Sequence, residues 1–139
     1  MFKSWKVFRN HILERNSLSP RDRELIILRA CWRCGSEYGW GHHAPTAERS
    51  GLSKEEIRGT TVDSASSPLS DADRLLVRAV DELFDDHDLS DSTWKELSET
   101  YSDQQLLDLM FTAGQYMTMS MVFKSLRLDL EADAWRFPN

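Results

Sequence analysis

Apolar side chains recur along this chain at intervals of three and four, and no stretch of five or more positions alternates apolar with polar. The pattern predicts helices and no strands. Trp5, Phe8 and Ile12 form one stripe on a helix over about residues 3–15, ended by Asn16 and Ser17. Ser19 followed by Pro20 is an N-cap and first-turn pair. The helix it opens carries Leu25-Ile26-Ile27-Leu28, apolar on nearly every side, as suits the middle of a bundle. Gly35 predicts the stop, and Ser36 caps a next helix over 37–50 that Pro45, having no N–H, should disturb. Ser53-Lys54-Glu55-Glu56 is a capping box for a short helix to about Arg58. The serine-rich stretch Gly59 to Pro68 is the longest predicted loop and the candidate mobile segment. Ser70 and Asp73 begin a helix with Leu76, Ala79, Val80, Leu83 and Phe84 inward. Asp85, Asp86 and Asp88 crowd its C-terminal end against the helix dipole, for which the pattern offers no stability reason. Ser90 and Ser92 precede a short helix with Trp94 and Leu97, and Ser102-Asp103-Gln104-Gln105 is a second capping box that opens a long terminal helix. The expected fold is an all-α bundle of about six or seven helices.

Length makes this one unit: 139 residues suit a single domain over 1–139. A formal charge of -6 removes any general attraction to phosphate backbones or anionic membranes, so neither nucleic acid nor membrane is an expected partner. Lys3, Lys6, Arg9 and His11 break up the N-terminal segment, which therefore does not read as an export signal. The most apolar stretch, Leu106 to Leu126, is interrupted by Asp108, Gln115, Ser120 and Lys124 and reads as a buried helix, not a membrane span. A cytoplasmic location is expected.

Chemistry concentrates in residues 31–43, which hold both cysteines, two of the four histidines, and Ser36, Glu37, Tyr38 and Trp40. On a helix Ser36, Gly39 and His43 share one face and Tyr38 and His42 a neighbouring one, the makings of a pocket wall. Cys31 and Cys34 are spaced C-x-x-C, which admits thiol redox chemistry, a partial metal site, or apolar filling of a helix end rich in Leu, Ile and Trp. No glycine-rich phosphate loop or metal-spaced cluster occurs, so no cofactor and no metal are expected. Asp85, Asp86 and His87 read as a solvated helix end. In the terminal helix Gln115 is an amide in an apolar stretch and needs a partner, either another helix or a ligand. Met110, Met117, Met119 and Met121 with Phe111 and Phe123 cover more than one face there, which a subunit interface would explain.

Arg21 to Arg29, followed by Gly35-Ser36-Glu37-Tyr38-Gly39-Trp40-Gly41-His42-His43, closely resembles the carboxymuconolactone decarboxylase family and its AhpD-like relatives. The resemblance continues through Ala47 to Ser53 and Asp108 to Tyr116, and covers about residues 5–130. It implies an all-α bundle assembled into homo-oligomers, commonly trimers or hexamers. The peroxidase branch has Glu, eleven residues, C-x-x-C, three residues and His, a proton relay to a thiolate. In this chain that spacing falls on Glu24, Ser36, Gly39 and His43, so the acid and the imidazole remain while both thiols are absent. Cys31 and Cys34 lie five residues too early, half a helical repeat out of phase.

A carboxylate and an imidazole in apolar, aromatic surroundings can perform cofactor-free acid/base catalysis. The decarboxylase branch implies a small carboxylated lactone that loses carbon dioxide into a conjugated carbonyl, with His43 as general acid/base and Glu24 orienting it or relaying its proton. Tyr38 and His42 would donate hydrogen bonds to an enolate, Trp40 would form an aromatic wall, and Ser36 and Gln115 would complete the substrate contacts. Gly39 stands where relatives with the Tyr-x-Trp signature most often have Glu, which removes an acid, leaves space for a bulkier substrate, and admits isomerisation or dehydration of an enolisable compound. Two alternatives stand beside this lyase or isomerase: a thiol-dependent alkylhydroperoxidase-type oxidoreductase using Cys31 and Cys34, and a non-catalytic small-molecule binding protein.

Overall fold

The computed structural model describes residues 1–63 and 66–138. Their helices are α1 (Phe2–Glu14), α2 (Pro20–Arg33), α3 (Glu37–Arg49), α4 (Lys54–Gly59), α5 (Asp71–Asp85), α6 (Asp91–Ser98) and α7 (Asp103–Ser125), and no strand occurs among the described residues. None of these helices is long and apolar enough to cross a membrane.

Local signals set most of the helix starts. The hydroxyls of Ser19, Ser70 and Ser90 accept from backbone N–H groups three residues on, and Ser53 and Ser102 form reciprocal capping boxes with Glu56 and Gln105. Ser36 departs from this pattern. It occupies the N-cap position of α3, but its hydroxyl makes no capping bond and is buried without a partner. Gly35 ends α2 as expected, with the positive φ of +61° that spares glycine the steric cost of a side chain.

α2 is the axis of the bundle and packs against α3, α5 and α7. Its residues from Glu24 through Cys31 are all buried, so this helix is covered on every side, as its unbroken apolar run requires. Arg29 is buried among them because every nitrogen of its guanidinium is engaged: Nε and Nη2 donate to the two oxygens of Asp81 at 2.7 and 2.8 Å, and Nη1 donates to the carbonyls of Thr60 and Val62.

Two sequence expectations change, and one feature is new. α3 runs unbroken through Pro45, although a proline inside a helix costs about 3 kcal/mol; the helix is held in place there by tertiary packing, with Ala44 and Ala47 wholly buried. The acidic end of α5 does have a stabilising partner: Arg33 pairs with Asp85 and Asp81 and lies over the Phe84 ring. The terminal helix stops at Ser125, and residues 126–138 return as an irregular strap along α3. Trp135 and Phe137 of the strap stack edge-on against Trp40, Phe137 also against Trp32, and Arg136 pairs with Glu37. Gly41 permits this approach, since a β-carbon there would collide with the Trp135 carbonyl oxygen. Of the serine-rich loop expected to be mobile, residues 64 and 65 lie outside the described residues. Leu69 and Ser67 beside them are buried, and Ser67 Oγ donates to the Gly59 carbonyl at 3.0 Å.

Candidate active site

Glu24 sits in the second turn of α2 and is wholly buried. His43 lies two turns into α3, and because α2 and α3 pack side by side, Glu24 Oε2 comes within 2.7 Å of His43 Nδ1. The other carboxylate oxygen accepts from Arg23 Nε and Nη2, both at 3.2 Å, while Arg23 Nη1 donates to the Leu13 carbonyl. A buried carboxylate is tolerable on these terms, with one cation and one imidazole N–H supplying what water no longer does. The carboxylate holds the imidazole proton on Nδ1 and leaves Nε2 to meet a ligand.

His43 opens onto a cavity of about 430 Å³ walled by four helices. α1 contributes Trp5, Arg9, Ile12 and Leu13, and α7 contributes Gln115, Tyr116, Met119 and Phe123. α2 supplies Arg23 and Glu24, and α3 supplies Tyr38, Gly39, His42, His43 and Thr46. The Tyr116 ring lies edge-on to His43 with centroids 4.7 Å apart. Burial, and then the nearby Glu24 charge, push its phenol well above the ordinary tyrosine value, so it remains a hydrogen-bond donor. The Tyr38 ring lies tilted against His42, with centroids 4.4 Å apart, and against Phe123, with centroids 5.0 Å apart. His42 Nε2 meets Glu131 of the strap at 3.3 Å. Gln115 is nearly buried, and its side-chain amide forms no hydrogen bond among the described residues.

Five of the seven site residues expected from sequence therefore come together: Glu24, His43, Tyr38, His42 and Gln115. Trp40 and Ser36 do not. Trp40 is one position along α3 from a cavity-facing residue and points into the core, fully buried, with its indole N–H donating to Thr60 Oγ1 at 3.0 Å. The Ser36 hydroxyl is likewise buried at the start of α3 and is not part of the cavity wall. Residues that sequence reasoning did not assign to the site are Arg9, Arg23 and Tyr116. The helical stripe of Trp5, Phe8 and Ile12 was the available signal for α1, because Arg9 lies four residues after Trp5 and three before Ile12, on the side of the helix that those two share.

The space expected at Gly39 is already taken. A β-carbon there would lie 2.8 Å from Cys31 Sγ and 3.2 Å from Ser36 Oγ, so the thiol of Cys31 fills the volume that a larger residue would need. Cys31 is wholly buried and Cys34 partly so, and both are free thiols. Burial pushes the Cys31 thiol up to about 12 and raises that of Cys34. No group of three or more His, Cys, Asp or Glu side chains suited to a metal ion occurs among the described residues.

Comparison with known proteins places this geometry. No protein of curated function matches the sequence. Among solved structures, an uncharacterised peroxidase-related protein from Silicibacter sp. TM1040 superposes with a TM-score of 0.83 at 14% identity, over 98% of this chain and 73% of its own. A protein of unknown function from Agrobacterium tumefaciens, provisionally described as the antioxidant defence protein AhpD, superposes with a TM-score of 0.84 at 20% identity, over 95% of this chain and 91% of its own. These likenesses establish the AhpD-like helical fold. The sequence model of the carboxymuconolactone decarboxylase family matches residues 1–82, the segment that holds Glu24 and His43. The chain belongs to the carboxymuconolactone decarboxylase family.

Proposed function

We propose that this chain is a cofactor-independent acid/base enzyme, a decarboxylase-like lyase or an isomerase, acting on a small carboxylated lactone or another enolisable carbonyl compound. The observation that carries this reading is the 2.7 Å contact between buried Glu24 and His43 on the wall of a cavity lined largely by apolar and aromatic side chains. In isomerisation, His43 Nε2 takes the proton from the carbon beside the carbonyl. The C–H electron pair passes into the carbonyl as an enolate, and the same nitrogen returns the proton at the conjugated position. In decarboxylation the bond to the carboxylate carbon breaks instead, its electron pair enters the conjugated carbonyl, carbon dioxide leaves, and His43, having taken a second proton from water at Nε2, delivers that proton to carbon and returns to the neutral imidazole. The Gln115 amide and the Tyr116 phenol would donate to the enolate oxygen, and the apolar walls would strengthen both bonds by excluding water.

The thiol alternative, which the descriptions of the two structural neighbours bring to mind, draws less support. Its nucleophile would be a thiol at Cys31 that is out of solvent and held protonated. We also propose homo-oligomeric assembly, supported by the exposed apolar face of α7 formed by Leu107, Phe111, Met121 and Val122.

The test is deuterium uptake from D2O at the α-carbon of a panel of small lactone acids and unsaturated ketones, followed by NMR. Wild type catalyses exchange or turnover of at least one member, His43→Ala slows it by about 10²- to 10⁴-fold, and Glu24→Gln is impaired with it. Equal rates for wild type and His43→Ala would sink the acid/base reading. Rapid loss of both free thiols on adding stoichiometric hydroperoxide, restored by a dithiol, would put the thiol alternative in its place.

A further inference from the structure

The charges around the cavity do not cancel. Arg23 is committed to Glu24 and to the Leu13 carbonyl, and Glu24 is shared between Arg23 and His43. His42 faces Glu131. The remaining charged side chain of the lining is Arg9 of α1, whose one side-chain hydrogen bond among the described residues is a long 3.5 Å contact to Asn10 Oδ1. Arg21, Arg29, Arg33, Arg74, Arg78 and Arg136 each hold a carboxylate, and the other arginines without one among the described residues, Arg15, Arg49, Arg58 and Arg127, lie outside the cavity lining, so Arg9 is the one that faces the cavity uncommitted. Arg9 lines the same cavity as Tyr116 and His43, and the Tyr116 ring stands edge-on against His43.

We infer that Arg9 is the specificity-determining residue of this cavity and pairs with a carboxylate of the ligand. The inference rests on the acid/base reading above and deepens it by saying which end of the substrate goes where. A guanidinium fork matches a carboxylate in geometry and charge, and Arg9, itself exposed to solvent, reaches the cavity beside Trp5, Ile12 and Leu13. The pairing also bears on the reaction. A carboxylate held by Arg9 is stabilised as an anion, and loss of that group as neutral carbon dioxide would forfeit the ion pair on the way to the transition state. Binding energy that is stronger in the ground state does not accelerate the step. The anion at Arg9 is thus a handle that stays in the product, and the carbon that exchanges a proton with His43 is a different one. A substrate that is decarboxylated here carries a second acid group.

Inert probes read this without any turnover. Benzoate and benzamide share size and a planar apolar body and differ in charge, and their binding can be followed by calorimetry at low salt. Wild type binds benzoate about tenfold or more tightly than benzamide, the size expected of a charged hydrogen-bonded pair, and the preference shrinks as salt is added. Arg9→Gln brings the two affinities together by weakening benzoate alone, and Arg9→Lys keeps part of the preference. Circular dichroism of both variants confirms that α1 and the bundle remain folded. A wild-type protein that binds the amide as well as the acid, binds neither at millimolar concentration, or keeps its preference in Arg9→Gln overturns the inference. Failure of the acid/base reading shows separately, as deuterium exchange indifferent to His43→Ala.

Discussion

Gly39 and Cys31 show how one missing side chain decides the chemistry next to it. The Cys31 thiol occupies the place of a residue-39 β-carbon, so the two positions form a single packing unit across α2 and α3. Gly39→Ala in the wild-type background should therefore destabilise, because overpacking of about 1–3 kcal/mol exceeds the gain of about 1 kcal/mol for alanine over glycine inside a helix. In a Cys31→Ala background the 2.8 Å contact is gone, and because the remaining 3.2 Å approach to Ser36 Oγ is relieved by a small turn of that unpartnered hydroxyl, the same substitution should stabilise by roughly 0.5–1 kcal/mol. Urea midpoints of the four proteins measure this change of sign, and strictly additive effects would show that the pair does not couple. The Glu24 and His43 pairing was legible in the chain through their spacing, a family pattern laid across two helices. The filling of Gly39 was not, since it depends on the rotation of α2 against α3 and no local signal reports that.

Among the elements, the helix starts were the most readable features, because an N-cap is chemistry within four residues. Ser36 is the informative failure. The residue type was right, but its hydroxyl turns into the packed contact with Gly39, where tertiary packing overrides the local preference. The strap was invisible for the opposite reason: residues 126–138 have no period, and their order comes from Trp135 and Phe137 meeting tryptophans about a hundred positions away. α1 is held in a third way. Asp108 of α7 accepts from Ser17 Oγ and Ser17 N–H, both at 2.7 Å, and faces His11 Nε2 at 2.7 Å, which pins the end of the helix that carries Arg9. Burial opposes ionisation of Asp108, but the two Ser17 bonds and then His11 outweigh it and hold the carboxyl below the usual carboxylate range. A lowered folded-state value stabilises the fold above the unfolded value of about 3.9, and that contribution is lost as pH falls below it. Asp108→Asn should cost about 1–3 kcal/mol at pH 7 and show a shallower loss of stability as pH falls below about 4. Parallel curves for the two proteins in urea melts across that range would show that Asp108 is not the titrating support.

At the scale of the whole molecule, charge and apolar surface are unevenly distributed. The buried interior is consistent with the all-α expectation, yet α7 leaves Leu107, Phe111, Met121 and Val122 in solvent along one side, with Phe8 of α1 stacked edge-on to Phe111 at the margin. The crowded methionines and phenylalanines of the terminal helix announced this face in the sequence; which residues of it stay outside depends on how the helix rolls onto α2. If a second copy covers it, Phe111→Glu should reduce the light-scattering mass to that of one chain while leaving the helical circular dichroism unchanged. An unaltered mass would remove α7 from the assembly surface.

The strap has an optical consequence as well. Of the five tryptophans, Trp32, Trp40 and Trp135 gather where the strap meets α2 and α3, Trp94 is exposed on α6, and Trp5 alone among them lines the cavity. Intrinsic fluorescence thus carries two separable signals: occupancy of the cavity alters the emission of Trp5, and detachment of the strap alters the clustered three. A Trp5→Phe variant would be silent to ligand while still reporting the strap, so binding and loosening of the C-terminal segment can be timed in the same trace.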